Sequence, residues 1–204
     1  GYLKKLVREK IGIFDLNDSI KDSDYDIFKT EYQHQSSDEY IMCIGVFDAM
    51  HIGHQALISR TVKTAKDRGC KSLVLTFDKS PKNRESIMTL DDKIACISSF
   101  NPHRIEVLKW DEKLSSTSGA RFMLSLQKKY NIKGIVLGKD FSVGSKDNPV
   151  TINELNLFFN DKDIICIEDV GGNGVDRVSS SYIQSLIKEG KTKEASSLMF
   201  KQIP

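Results

Sequence analysis

Two histidines, His51 and His54, stand three positions apart with Gly53 between them, in the run Ile44-Gly45-Val46-Phe47-Asp48-Ala49-Met50-His51-Ile52-Gly53-His54. Apolar residues that read as a strand precede the pair, and residues of helical period follow it. A strand that turns tightly into a helix presents unpaired backbone N–H groups and the positive end of the helix dipole. Imidazoles placed there add directed donors for anionic oxygens. The chemistry this predicts is the gripping of a nucleotide phosphate. A pair of exposed histidines on one helical face is the plainer reading, but it accounts for neither the glycine nor the strand-to-helix junction. Zinc fits less well, since a metalloprotease-type pair needs a Glu inside it and no third ligand cluster is evident.

Three other segments carry residues suited to the same task. Thr76-Phe77-Asp78-Lys79-Ser80-Pro81 places polar side chains just past a second apolar run, closed by a proline that forces an extended path. In Leu137-Gly138-Lys139-Asp140-Phe141-Ser142-Val143-Gly144, the glycines permit close backbone approach, Asp140 can accept from a ribose or base, and Phe141 can pack on a ring. The segment Val178-Ser179-Ser180-Ser181-Tyr182-Ile183-Gln184-Ser185-Leu186-Ile187 opens on three serines. One suffices to cap a helix, so the surplus hydroxyls and N–H groups make a second anion site.

These loops need a scaffold. Short apolar runs at 41–46, 73–77, 105–108, 134–137 and Ile164–Ile167 read as strands. Helical periodicity falls between them at 55–68, 91–100, 119–130 and 151–159, with Gly69 and Gly190 as stops. Alternation of this kind predicts right-handed βαβ crossovers and a doubly wound, Rossmann-like α/β fold around a parallel sheet. In such folds ligands bind beyond the carboxyl ends of the strands, and each of the first three motifs follows a strand. The expected organisation is a single domain at 40–204 behind an N-terminal extension at 1–39, whose residues 2–11 form a short basic amphipathic helix.

The composition removes several classes of function. A net charge of +2 over 204 residues gives no basic field for nucleic acid. No apolar run approaches the ~20 residues that cross a bilayer, and no signal-peptide core opens the chain, so no membrane role is expected. Cys43, Cys70, Cys96 and Cys166 form no C-x-x-C pair and read as reduced thiols, in keeping with a cytoplasmic protein.

In order and spacing, the four motifs resemble the FMN adenylyltransferase (FAD synthetase) module of the bacterial bifunctional riboflavin kinase/FAD synthetase family. That family belongs to the H-x-G-H nucleotidyltransferases. Its pattern runs G-x-F-D-G-x-H-x-G-H, T-F-x-P-x-P, V-G-x-D-F-x-F-G and S-S-T-x-I-R, matched here from Gly45 to His54, Thr76 to Pro81, Leu137 to Gly144 and Ser179 to Gln184. The resemblance implies transfer of AMP from ATP to FMN, giving FAD and pyrophosphate with Mg²⁺. It implies catalytic roles for His51 and His54, and ATP contacts from Gly45, Phe47, Asp48, Gly53, Asp140, Ser179, Ser180, Ser181 and Gln184. Flavin contacts are expected from Thr76, Phe77, Lys79, Pro81 and Phe141. The chain departs from the pattern at Ala49, Lys79, Val143 and Gln184, where the family has Gly, Pro, an aromatic residue and Arg. The last change removes a fixed cation that Arg177, Lys139 or Lys188 would have to supply. No riboflavin kinase module is found in the chain, which leaves a separate kinase as the expected source of FMN. Two alternatives stay open. One is a sister adenylyl- or cytidylyltransferase using another phosphorylated substrate, and the other is a degenerate nucleotide- or flavin-binding module with little catalysis.

Overall fold

The computed structural model describes residues 38–81, 86–171 and 177–199. The helix expected at 2–11 and all of the N-terminal extension but its last two residues lie outside them.

Five parallel strands form the sheet: β1 (Glu39–Ile44), β2 (Lys71–Phe77), β3 (Arg104–Leu108), β4 (Asn131–Gly138) and β7 (Ile164–Ile167), in the order β3-β2-β1-β4-β7. The chain builds outward from β1 through β2 to β3, then returns to the other side of β1 with β4. The order therefore reverses between β1 and β4, and a crevice opens beyond their carboxyl ends. The His pair follows β1 and the Gly138–Phe141 turn follows β4.

Alternation along each strand sends residues to two cores. Met42, Ile44, Leu73, Leu75, Ile135 and Leu137 pack on one face with Phe122, Met123 and Leu126 of α4 (Gly119–Lys129). Ile41, Cys43, Val74 and Val136 pack on the other with Leu57, Ile58 and Ala65 of α1 (Ile52–Asp67) and Ile97 of α2 (Leu90–Ser98). Most are wholly inaccessible to water, and each fully buried Val, Leu, Ile, Phe or Met side chain contributes about 1.5–3 kcal/mol. A third, smaller core joins Ala49 to Val178, to Ile183 and Leu186 of α5 (Ser180–Lys188), and to Ala195 and Leu198 of α6 (Thr192–Leu198). Gly69 closes α1 with φ +65°, as its position predicts.

Some expectations need correction. The segment expected to be helical at 151–159 is a 3₁₀ turn, Ile152–Leu157, wound by a Thr151/Glu154 capping box. Leu157, Phe158 and Phe159 are all buried, and no single α-helical face can bury three successive residues. The strands at β1, β2, β3 and β4 start one to three residues earlier than the apolar runs suggest. Helix α3 (Glu112–Ser116) was not expected, nor was the two-stranded ribbon of β5 (Ser142–Val143) and β6 (Val150–Thr151). The ribbon sits tightly on the start of α4. A Cβ on Gly144, at φ +98°, would lie 2.1 Å from the Gly119 nitrogen. Of the cysteines, Cys43 and Cys96 are buried, Cys70 is half-buried and Cys166 is exposed; all are free.

Candidate active site

One cavity of about 560 Å³ opens at the carboxyl ends of β1 and β4. Its polar side is built from three segments remote in sequence: the loop from Gly45 to His54, the turn at Gly138–Phe141, and the run from Arg177 to Gln184.

The first loop is held in a costly backbone shape. Phe47 and Met50 have φ of +54° and +40° without being glycine, and both are completely buried. Their packing maintains a conformation that would cost on the order of 1–3 kcal/mol per residue if left unsupported. Asp48, between them, is also buried, and its Oδ1 accepts from the Ile87 N–H at 3.0 Å. Ala49 has no positive φ, which is why it can stand where the family pattern has glycine; its methyl group belongs to the third core.

His51 caps α1: its Nδ1 accepts from the His54 N–H at 3.4 Å. A ring that accepts at Nδ1 carries its proton on Nε2, and His51 borders the cavity. The two imidazoles stack with centroids 3.6 Å apart, and Phe47 meets the second ring edge-on at 5.2 Å. The glycines make this packing possible. A Cβ on Gly45 would strike the Phe47 ring at 2.6 Å, and one on Gly53 would press on the His51 ring at 3.2 Å.

Both histidines are held neutral. Burial pushes His51 down to about 4; Arg177 lowers it further and Asp140 opposes. His54 is driven well below the usual imidazole range by burial, then by His51 and Lys93. Among the described residues its buried Nδ1 meets no hydrogen-bond partner. The pair can therefore offer neutral N–H donors and not two imidazolium charges. The depressed values also link stability to pH. The unfolded chain takes up the His51 proton near 6.5 and the fold only near 4, so stability is full above pH 6.5 and falls as pH drops toward 4. The expected loss is on the order of 3 kcal/mol. Urea melts between pH 4.5 and 7 measure it, and His51→Asn, which keeps a capping acceptor but cannot titrate, should remove the His51 part of the slope and leave that of His54.

Ser179 caps α5 by accepting from the Tyr182 N–H at 3.2 Å, and Ser180, Ser181 and Gln184 border the cavity from that helix. Arg177 donates to Asp140 Oδ2 at 2.5 Å and pairs with Asp169 Oδ1 at 3.4 Å. Among the described residues it is the one cationic side chain lining the cavity. Lys139 pairs with Glu168 instead, and Lys188 lies in the last turn of α5 away from the cavity.

The opposite side is apolar. Phe77, Pro81 and Phe141 line it as the sequence suggests, joined by Trp110, Leu114, Phe122 and Val143. Trp110 meets Phe77 edge-on at 5.6 Å, and its backbone N–H donates to Asp78 Oδ1 at 2.7 Å. Trp110 and Leu114 belong to the β3–α3 segment, which carries no motif and so gave no signal in the sequence. Three expected contact residues lie off the cavity wall. Phe47 is behind His54. Thr76 is fully buried and donates to the Val46 carbonyl at 3.2 Å, and Lys79 is exposed on the outside.

A family model described as FAD synthetase matches residues 33–181. The chain belongs to the FAD synthetase family. It is 27% identical over 186 residues to a bifunctional riboflavin kinase/FMN adenylyltransferase of Listeria monocytogenes, covering 84% of this chain and 59% of that protein. It is 32% identical over 166 residues to the protein of the same name from Buchnera aphidicola of Schizaphis graminum, covering 76% and 53%. This FAD synthetase-family chain thus spans little more than half the length of those relatives. A crystal structure described as a macrolide-efflux protein from Streptococcus pneumoniae shares the fold, with a TM-score of 0.70 and 24% identity over 80% of this chain and 65% of that one. Among the described residues no helix is long and apolar enough to cross a membrane.

Proposed function

We propose that residues 40–204 act as an FMN adenylyltransferase, joining FMN to the AMP part of ATP. The observation that carries this reading is the two-sided cavity. Neutral imidazole donors, a guanidinium and a helix N-terminus line one side of it, and an aromatic wall lines the other. A triphosphate suits the first and a flat tricyclic ring the second. In the reaction a phosphate oxygen of FMN attacks the α-phosphorus of ATP. The new P–O bond forms as the α–β bridging P–O bond breaks, and its electron pair leaves on pyrophosphate. The attacking oxygen is already ionised at neutral pH, so no general base is needed. What remains for the protein is alignment of two polyanions and neutralisation of their charge.

In this reading His51 and His54 donate to the ATP phosphates, Ser179 to Ser181 add hydroxyl and N–H donors, and Arg177 supplies the charge. Asp48 and Gln184 shape the nucleotide side. Phe77, Pro81, Phe141 and Trp110 hold the flavin. Mg²⁺ binds through one or two carboxylates together with substrate phosphates. Asp140 and Asp169, both on the cavity wall, fit that requirement, and the ion would neutralise phosphate charge there. Among the described residues there is no cluster of three or more His, Cys, Asp or Glu side chains that could hold a metal ion. FMN would come from a riboflavin kinase, and a cytoplasmic setting suits both substrates.

Incubating the purified protein with ATP, FMN and Mg²⁺ tests the proposal. FAD and pyrophosphate in equal amounts are expected. Tight binding of both substrates with no FAD would instead favour a binding module, the reading that the neutral Gln184 motivates.

A further inference from the structure

Lys93 is the anomaly of α2. A lysine in the second turn of an amphipathic helix normally reaches water, yet only 5% of this one is exposed. Its ammonium donates to the Phe77 carbonyl at 2.6 Å and to the Val46 carbonyl at 3.1 Å. These carbonyls lie where β2 and β1 end and the two cavity-lining loops begin. The Val46 carbonyl is also the acceptor for the Thr76 hydroxyl, so three side-chain bonds converge on two backbone oxygens. Around the ammonium lie His54, whose ring feels its charge, and the carboxylates of Asp48 and Asp78. Those carboxylates in turn fix the backbone N–H groups of Ile87 and Trp110. Burying an unpaired ammonium costs several kcal/mol, and good geometry with close counter-charges is what makes it tolerable. A solvated lysine would spare the fold that cost entirely, and the α2 face could be closed by leucine. Since the fold carries the charge there, it invites a role in the chemistry overhead.

We propose that Lys93 is a positioning residue for adenylyl transfer. It ties the loop bearing His51 and His54 to the loop bearing Phe77 and Pro81, and so sets the distance between the two substrates. The inference rests on the adenylyl-transfer reading above. Lys93 does not line the cavity. Its effect is on alignment, where a displacement of ~1 Å in the reacting atoms costs about a hundredfold in rate.

The test is a comparison of kcat, the two KM values and the melting temperature in Lys93→Met, which keeps the stem and removes the charge. Per folded molecule, kcat should fall at least 30-fold while KM for ATP and for FMN each stay within threefold. Lys93→Arg, which restores a cation and donors, should recover at least tenfold of the lost rate. A merely structural lysine would lower the melting temperature and leave kcat of the folded fraction unchanged, and that result overturns the proposal. So does a rise in either KM at unchanged kcat, which would mark a binding role. If Lys93→Met does not fold, Lys93→Gln decides on the same terms, because its amide still satisfies one carbonyl. Should the unmodified protein make no FAD, the adenylyl-transfer reading itself fails, and the two failures are told apart.

Discussion

His54→Ala should lower kcat/KM for FAD formation by about 10²–10³-fold, the usual cost of removing one preorganised donor from a developing oxyanion. The ring is fixed by stacking on His51 at 3.6 Å and by the edge of Phe47, so little rearrangement is needed when charge builds on the phosphate. Because burial keeps it neutral, His54 contributes a directed N–H, and a replacement by lysine or arginine should not restore the rate. The fold should survive, since His51 still caps α1 and the cores lie elsewhere. Steady-state kinetics with a circular dichroism control measure both. A wild-type rate in the alanine variant would remove the phosphate role from this residue.

Arg177→Ala should weaken ATP binding by about 10–100-fold, the scale of one or two charge-assisted hydrogen bonds to phosphate. In the structure the guanidinium rests between Asp140 and Asp169, with 43% of its side chain exposed. Ion pairs as open as these contribute ~1 kcal/mol or less. A triphosphate with several negative oxygens outbids them readily, so the carboxylates park the arginine without withholding it. The adjoining Gln184 presents a neutral amide from α5. Gln184→Arg in the Arg177→Ala background should therefore recover most of the lost affinity by placing a cation on the same wall. Isothermal titration with ATP reads both steps. If Arg177→Ala binds as the parent does, the charge at this site comes from elsewhere.

Period and punctuation were enough to find the sheet. Alternating apolar runs and glycine stops located all five parallel strands and three of the four helices expected between them. The fourth became a 3₁₀ turn because its buried residues are consecutive, a feature that helical periodicity does not register. The polar half of the cavity was legible for a similar reason, since two of its three segments follow strand ends in short motifs and the third opens a helix on surplus serines. Three things were not. Trp110 and Leu114 reach the cavity from a segment with no motif, and only the pairing of β2 with β3 brings them near Phe77. Thr76 looked like a ligand contact but is spent on the Val46 carbonyl. Lys93 carried no signal at all, because a sequence shows a side chain's charge but not the two carbonyls waiting for it.

The small core that seats Ala49 against Val178, Ile183 and Leu186 has a bearing on synthesis. The last sheet strand is complete at Ile167, yet the serines and Arg177 come later and dock only when α5 and α6 close over Ala49. A nascent chain on the ribosome would carry a finished sheet and a cradle open on one flank. On the proposed reading, nucleotide capture would thereby wait until the body of the domain has already folded, and half-made molecules would not sequester ATP.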